Sequence, residues 1–117
     1  MVGGVIRVLV CGGRTYPDAR RVHQEIMALP HDTTIVCGGA RGADAHAEHS
    51  ALLLSLPVEV YYANWHKYGK AAGPIRNQEM IDSGIDKVIA FDGGAGTLDM
   101  KVRARKAGIE VVEIDSE

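Results

Sequence analysis

The sequence predicts an α/β fold of three layers, in which a five-stranded parallel sheet lies between helices. Five short apolar runs, rich in Val and Ile, lack the alternation of half-exposed strands, which is typical of strands buried on both faces. Four helix-like segments separate these runs, and such alternation implies right-handed crossovers. The length of 117 residues, with 46% hydrophobic and 24% charged residues, fits a single domain over residues 1–117.

The strands are predicted at residues 5–11, 34–37, 58–62, 87–91 and 110–114. The first helix is predicted from about Asp18, a suitable N-cap, to Leu29, with Val22, Ile26 and Leu29 on one face. The second runs over about residues 43–54. The third begins near Pro74, which suits a first turn, and ends at about residue 83, before Gly84. The fourth covers about residues 97–107 and ends at Gly108.

Composition and charge exclude several classes of protein. The net charge of −2 provides no general basic field for binding nucleic acid. No apolar run has the length of a membrane span, and Arg7 interrupts the first run too early for a signal peptide. Cys11 and Cys37 end apolar runs, which favours buried, reduced thiols. We therefore expect a cytoplasmic protein. No cofactor is predicted, and no metal site, because His46 and His49 lack a third ligand.

Glycine pairs follow three of the four strands that lead into helices, in the segments CGGRTYPD, CGGARGAD and DGGAGT. In a parallel sheet these turns share the carboxyl edge, where ligands of open α/β sheets bind. Glycine lets a ligand approach backbone N–H groups, and the following helix N-termini favour anions. The predicted ligand-binding residues here are Gly12, Gly13, Thr15, Gly38, Gly39, Ala40, Gly42, Gly93, Gly94, Gly96 and Thr97.

The charges in the four turns agree with an anionic ligand. Within residues 12–17, 38–43, 63–76 and 92–96, five residues are basic and only Asp92 is acidic. The basic residues are Arg14, Arg41, Lys67, Lys70 and Arg76. A phosphate or pyrophosphate is the natural partner of such a set. In the turn after the third strand, Trp65 either stacks on a base or packs as a small core of its own loop, and these alternatives stay open.

The segments CGGRTYPD, VCGGARGADAHA, NWHKYGKAAGPIRNQEM and VIAFDGGAGT resemble the SLOG superfamily (the Smf/DprA–LOG group). Within it the chain is similar to the YspA-like, cpYpsA-related proteins. This resemblance implies a Rossmann-like sheet in the order 3-2-1-4-5, and a pocket for nucleotides or nucleotide-derived ligands at the carboxyl edge. It also implies a homodimer.

Two branches of the superfamily supply alternative functions. The LOG-type branch contains phosphoribohydrolases, which release the free base from nucleoside monophosphates. Here RNQEM places Asn77, which is also a predicted ligand-binding residue, where that branch has lysine. DGGAGTLDM places Met100 where the branch has the catalytic glutamate. A thioether cannot exchange protons, so cleavage would need Arg76 with a carboxylate recruited from Glu79 or Asp99. The DprA-like branch binds single-stranded DNA. A short oligonucleotide is therefore a less favoured ligand for this mildly acidic chain.

The function predicted from these residues is binding of a nucleoside monophosphate or an ADP-ribose-like molecule. Its phosphate is expected over residues 38–42 and 93–97, held by backbone N–H groups, the Thr97 hydroxyl and Arg76. Arg14, Arg41 and Lys67 are expected to surround the charge, and Asn64 or Trp65 to face the base or ribose. Asp44 is expected to cap the second helix or to orient Arg41.

Overall fold

A parallel sheet in the order β3-β2-β1-β4-β5 forms the centre of the computed structural model, which describes residues 6–115. Its strands are β1 (Ile6–Cys11), β2 (Thr33–Cys37), β3 (Val58–Val60), β4 (Lys87–Phe91) and β5 (Glu110–Ile114). The predicted class and strand order are confirmed. The third strand is two residues shorter than predicted, and the predicted start at Val5 lies outside the described residues. Because β1 lies between β2 and β4, the turns after these three strands are neighbours.

Helices α1 (Ala19–Met27) and α2 (Ala43–Leu53) lie close to their predicted positions. Helices α4 (Ala72–Asp82) and α5 (Ala95–Lys106) each begin two residues before the predicted start. Gly84 and Gly108 follow them with φ of 93° and 77°, values that favour glycine, so both predicted helix ends are confirmed.

A short helix, α3 (Trp65–Tyr68), and a 3-10 turn (Gly69–Ala71) lie where an irregular turn was predicted. The Asn64 side chain caps α3, because it accepts a hydrogen bond of 3.0 Å from the Lys67 N–H. Asn64 is a favourable N-cap residue, and its presence was the sequence signal that could have predicted this helix.

The core lies on both faces of the three central strands. All five residues of β2 are buried, and the last four of β1 and of β4 are buried. The edge strands are less covered: Val58 in β3 is 40% exposed, and Glu110 and Glu113 of β5 are exposed. Full burial was therefore a wrong expectation for β3 and β5, which lie at the margins of the two helical layers.

Cys11 and Cys37 are buried free thiols, as predicted. Loss of hydration on burial raises the pKa of both to about 12, so neither is ionised near neutral pH. Within residues 6–115, none of the helices has the length and apolar character needed to cross a bilayer.

Asp18 provides a first test of the local fold. Its carboxylate accepts a hydrogen bond of 3.0 Å from the Arg21 N–H at the start of α1. We expect Asp18→Ala to lower the free energy of unfolding by about 1 kcal/mol, since that N–H loses its acceptor. Urea denaturation followed by circular dichroism measures this. Asp18→Asn, which keeps an acceptor oxygen, should lie close to the wild type; an equal loss in both variants would contradict the capping role.

Candidate functional site

An open cleft of about 1660 Å³ runs along the carboxyl edge of the sheet, between the four strand-to-helix turns. Most of the predicted site residues line it, namely Gly12, Gly13, Arg14, Thr15, Gly38, Gly39, Ala40, Arg41, Asp44, Trp65, Arg76, Asn77, Gly93, Gly94, Gly96, Thr97 and Asp99. The fold thus brings together segments that are far apart in the sequence. Contact of these residues with a ligand stays a prediction.

The three glycine turns pack against one another through their backbones. The Gly13 N–H donates to the Asp92 carbonyl at 2.8 Å, and the Gly13 carbonyl accepts from the Ala43 N–H at 3.2 Å. A Cβ at Gly12 would lie 2.6 Å from the Ala43 Cβ. A Cβ at Gly42, whose φ is 68°, would overlap the Gly13 carbonyl oxygen. These glycines are therefore required by contact between turns, whereas the sequence suggested contact with a ligand.

Gly94 and Gly96 differ from these packed glycines. A Cβ at either position would meet no atom within 4 Å, and neither residue has a positive φ. Gly94 is the N-cap of α5, and it has no side chain that could accept a hydrogen bond from the helix. Among the described residues, none accepts a hydrogen bond from the N–H groups of Ala95 and Gly96. The positive end of the helix dipole is thus open to the cleft. The fold itself requires neither glycine.

Asp44 closes the turn after β2. Its side chain is 6% exposed, and one carboxylate oxygen accepts from the Gly38 N–H at 3.2 Å and from the Ala40 N–H at 3.1 Å. It therefore organises this turn, which corrects the expectation that it caps α2 or orients Arg41. The N-cap of α2 is Gly42, and no side chain caps this helix. Burial raises the pKa of the Asp44 carboxyl, although both amides and the Arg76 guanidinium favour its charged form.

Arg76 joins the ends of β2 and β3. Its Nη1 donates to the Gly38 carbonyl at 2.5 Å and to the Tyr61 carbonyl at 3.3 Å. A Cβ at Gly38 would lie 2.5 Å from this nitrogen, so the guanidinium passes where only glycine leaves room. Part of the predicted phosphate-binding capacity of Arg76 is therefore used to hold the strand ends together.

Asn77 continues this network towards α5. It is 5% exposed, accepts from Arg76 Nε at 3.1 Å, and donates to the Gly96 carbonyl at 3.3 Å and to Asp99 Oδ2 at 3.0 Å. The same Asp99 oxygen accepts from Arg103 Nε at 2.8 Å. Burial alone would raise the pKa of Asp99, but the hydrogen bonds from Arg103 and Asn77 lower it. A carboxylate held this way is a weak proton acceptor.

Four predicted residues lie apart from the cleft. Glu79 lines a separate surface groove between α4 and α5, so its proposed catalytic role is corrected. Arg76 and Met80 of the same helix line the cleft, but Glu79 does not. The other three residues have different contacts. The Asn64 side chain caps α3, and Lys67 Nζ lies 5.0 Å from the centre of the Tyr68 ring. Gly42 is packed against the turn that contains Gly13.

The rim of the cleft carries exposed aromatic and cationic side chains. Trp65 is 50% exposed, so half of its surface is free to meet a ligand, and the Arg14 guanidinium lies 5.9 Å from its ring centre. Tyr62, which the sequence analysis did not select, is 71% exposed and lies against Gly39. Lys70 also lines the rim. No sequence signal identified Tyr62, because the predicted third strand included it, whereas β3 ends at Val60.

The fold and the cleft define an α/β protein of the Rossmann-like class with an open cleft at the carboxyl edge of its sheet. Comparison with known proteins gives the family. Residues 6–68 match the YspA, cpYpsA-related SLOG family, and the chain belongs to it. The predicted superfamily is thereby confirmed.

Two individual proteins are similar to the chain over most of its length. The Gene 61 protein of Mycobacterium phage D29 is 37% identical, over 91% of this chain and 94% of that protein. The X-ray structure of DNA processing protein A (DprA) from Streptococcus pneumoniae superposes with a TM-score of 0.83 at 22% identity. This superposition covers 96% of the chain and 51% of the DprA chain, so the chain spans about half of that structure. At this identity the likeness establishes the shared fold.

Proposed function

We propose that the chain binds a nucleotide or a nucleotide-derived ligand in the cleft, with a phosphate at the N-terminus of α5. The observation that supports this most is the pair Gly94 and Gly96. At Gly96, inside the first turn of α5, glycine costs up to about 1 kcal/mol of stability relative to alanine, and packing does not require it. Gly94 is the N-cap, a position that favours glycine over alanine. An anion that approaches the N–H groups of α5 would account for Gly96, and Gly94 leaves that approach free of a side chain.

The rim is suited to the remainder of a nucleotide. Trp65 offers a half-exposed ring for a base, and Arg14 and Arg41 supply positive charge near the phosphate. Binding is favoured over cleavage, because Met100 is 1% exposed in the core and the Asp99 carboxylate is held by Arg103. A homodimer and a cytoplasmic location stay predictions; sedimentation velocity tests the first.

The size of the cleft supports a second candidate ligand. Its volume of about 1660 Å³ exceeds the roughly 300–1000 Å³ typical of small-molecule sites. A short single strand with a 5′-phosphate would occupy more of this space, and DprA, whose fold the chain shares, is a DNA processing protein by name. A 5′-phosphorylated trinucleotide that bound much more tightly than AMP would favour this candidate.

Titration calorimetry with AMP tests the proposal, and Gly96→Ala makes the test specific. The new methyl group would stand in the approach to the α5 N–H groups, so AMP affinity should fall about tenfold, or 1.4 kcal/mol. The free energy of unfolding should rise by up to about 1 kcal/mol, since alanine is the better helix residue.

Gly108→Ala, at the opposite end of α5, is the matched control. Its φ of 77° disfavours alanine, so stability should fall by about 1–2 kcal/mol while AMP affinity is unchanged. Absence of AMP binding to the wild type, or equal AMP affinity in Gly96→Ala, would contradict the proposal.

A further inference from the structure

Asp44 is a buried acid in a cleft whose rim is basic. The N–H groups of Gly38 and Ala40 converge on one oxygen of its carboxylate. Converging backbone N–H groups of this kind form an anion-binding concavity, the structure that commonly holds a phosphate oxygen. Here the chain supplies the anion itself, from the first turn of α2.

The two anion positions of the cleft are neighbours. Gly13 lies between them, because its carbonyl accepts from Ala43 at the start of α2 and its N–H donates to Asp92 just before α5. Arg76 and Asn77 form a second connection between the two positions. Arg76 donates to the Gly38 carbonyl and to the Asn77 side chain, and Asn77 donates to the Gly96 carbonyl. A ligand with two adjacent phosphates would therefore extend its second phosphate from the α5 position towards the turn after β2.

We propose that Asp44 acts as an internal anion that fills the position of a second phosphate and so restricts the cleft to ligands with one phosphate at the α5 N-terminus. This inference rests on the proposed function and specifies its ligand class: a nucleoside monophosphate, not a nucleoside diphosphate. The amides that would bind the second phosphate are occupied, and the carboxylate repels it.

The cations of the cleft do not remove this restriction. Arg76 Nη1 and Nε donate to backbone carbonyls and to Asn77, so this cation is already engaged. Arg14 and Arg41 are exposed, where water and salt weaken their attraction for a phosphate. The selectivity therefore lies in the buried carboxylate.

Paired titrations with AMP and ADP test the inference. We expect wild-type protein to prefer AMP by about tenfold or more. Asp44→Asn keeps an oxygen for the two amides but removes the charge, and Asp44→Ala empties the position; both should reduce or reverse the preference. Asp92→Asn is the matched control, because it removes an exposed acid from the same cleft and should leave the preference unchanged.

A second measurement examines the internal anion without any nucleotide. Formate matches the carboxylate that Asp44→Ala removes, so formate should raise the thermal midpoint of this variant and not that of the wild type or Asp92→Ala. Equal affinities for AMP and ADP in the wild type, or an unchanged preference in Asp44→Asn, would overturn the inference on selectivity. Absence of formate stabilisation would overturn the role of Asp44 as an internal anion. A wild type that binds no AMP while formate stabilises Asp44→Ala would contradict the proposed function and the selectivity, but not that role.

Discussion

Gly42→Ala is expected to lower the free energy of unfolding by about 3–5 kcal/mol, among the largest effects of any single substitution in this chain. Two costs combine. Alanine at φ 68° carries about 1–2 kcal/mol of backbone strain. Its Cβ would also overlap the Gly13 carbonyl oxygen and lie 2.6 Å from the carbonyl carbon of Arg14, atoms that cannot move without separating the two turns.

Chemical denaturation of Gly42→Ala beside Gly84→Ala and Gly108→Ala measures this difference. All three glycines have positive φ, but a Cβ at Gly84 or Gly108 would meet no atom within 4 Å. The two controls should therefore show the backbone strain alone. A loss for Gly42→Ala no larger than that of the controls would show that the turns can separate at little cost.

Arg76→Ala should lower the free energy of unfolding by about 2–4 kcal/mol. The substitution removes the donor for the Gly38 and Tyr61 carbonyls and the cation that favours a charged Asp44. Without that cation the folded-state pKa of Asp44, already raised, should rise further. The loss of stability should then be greatest near pH 7 and smaller below about pH 4, where Asp44 is protonated in both states.

Urea denaturation at several pH values measures this trend as the difference between the wild type and Arg76→Ala. Arg105→Ala is the control, because Arg105 is an exposed arginine of α5 that pairs with Glu113 at the surface. It should change stability by no more than about 0.5 kcal/mol. A pH-independent deficit in Arg76→Ala would show that Arg76 acts on the carbonyls alone and has no influence on Asp44.

The fold could be predicted from the sequence because the signals that begin and end its strands and helices are strong. Val- and Ile-rich runs, the Asp18 cap and the glycines at 84 and 108 all agree on where elements begin and end. The short helix α3 was missed, since four residues carry no periodicity. The exposure of β3 and β5 was also missed. The predicted strand order placed both at the edges, but their apolar runs indicated burial on both faces.

The site was predictable as a region and not in its details. Glycine pairs mark the carboxyl edge, but the sequence cannot distinguish a glycine needed by a neighbouring turn from one needed by a ligand. Gly42 and Gly96 illustrate the two cases. The partners of Asp44 and Arg76 were also hidden, because Arg76 reaches a carbonyl 38 positions away in sequence. Only the packing of turns that are distant along the chain determines such contacts.

The backbone contacts among the glycine turns have a consequence for how this cleft can diversify. The glycine turns beneath the cleft are held to one another by main-chain contacts, whereas the rim consists of exposed side chains at Arg14, Arg41, Tyr62 and Trp65. Substitutions of exposed residues usually change the free energy of unfolding by no more than about 0.5 kcal/mol. Proteins built on this plan can therefore acquire new ligand preferences by exchanging a few rim residues, while the scaffold beneath keeps its shape.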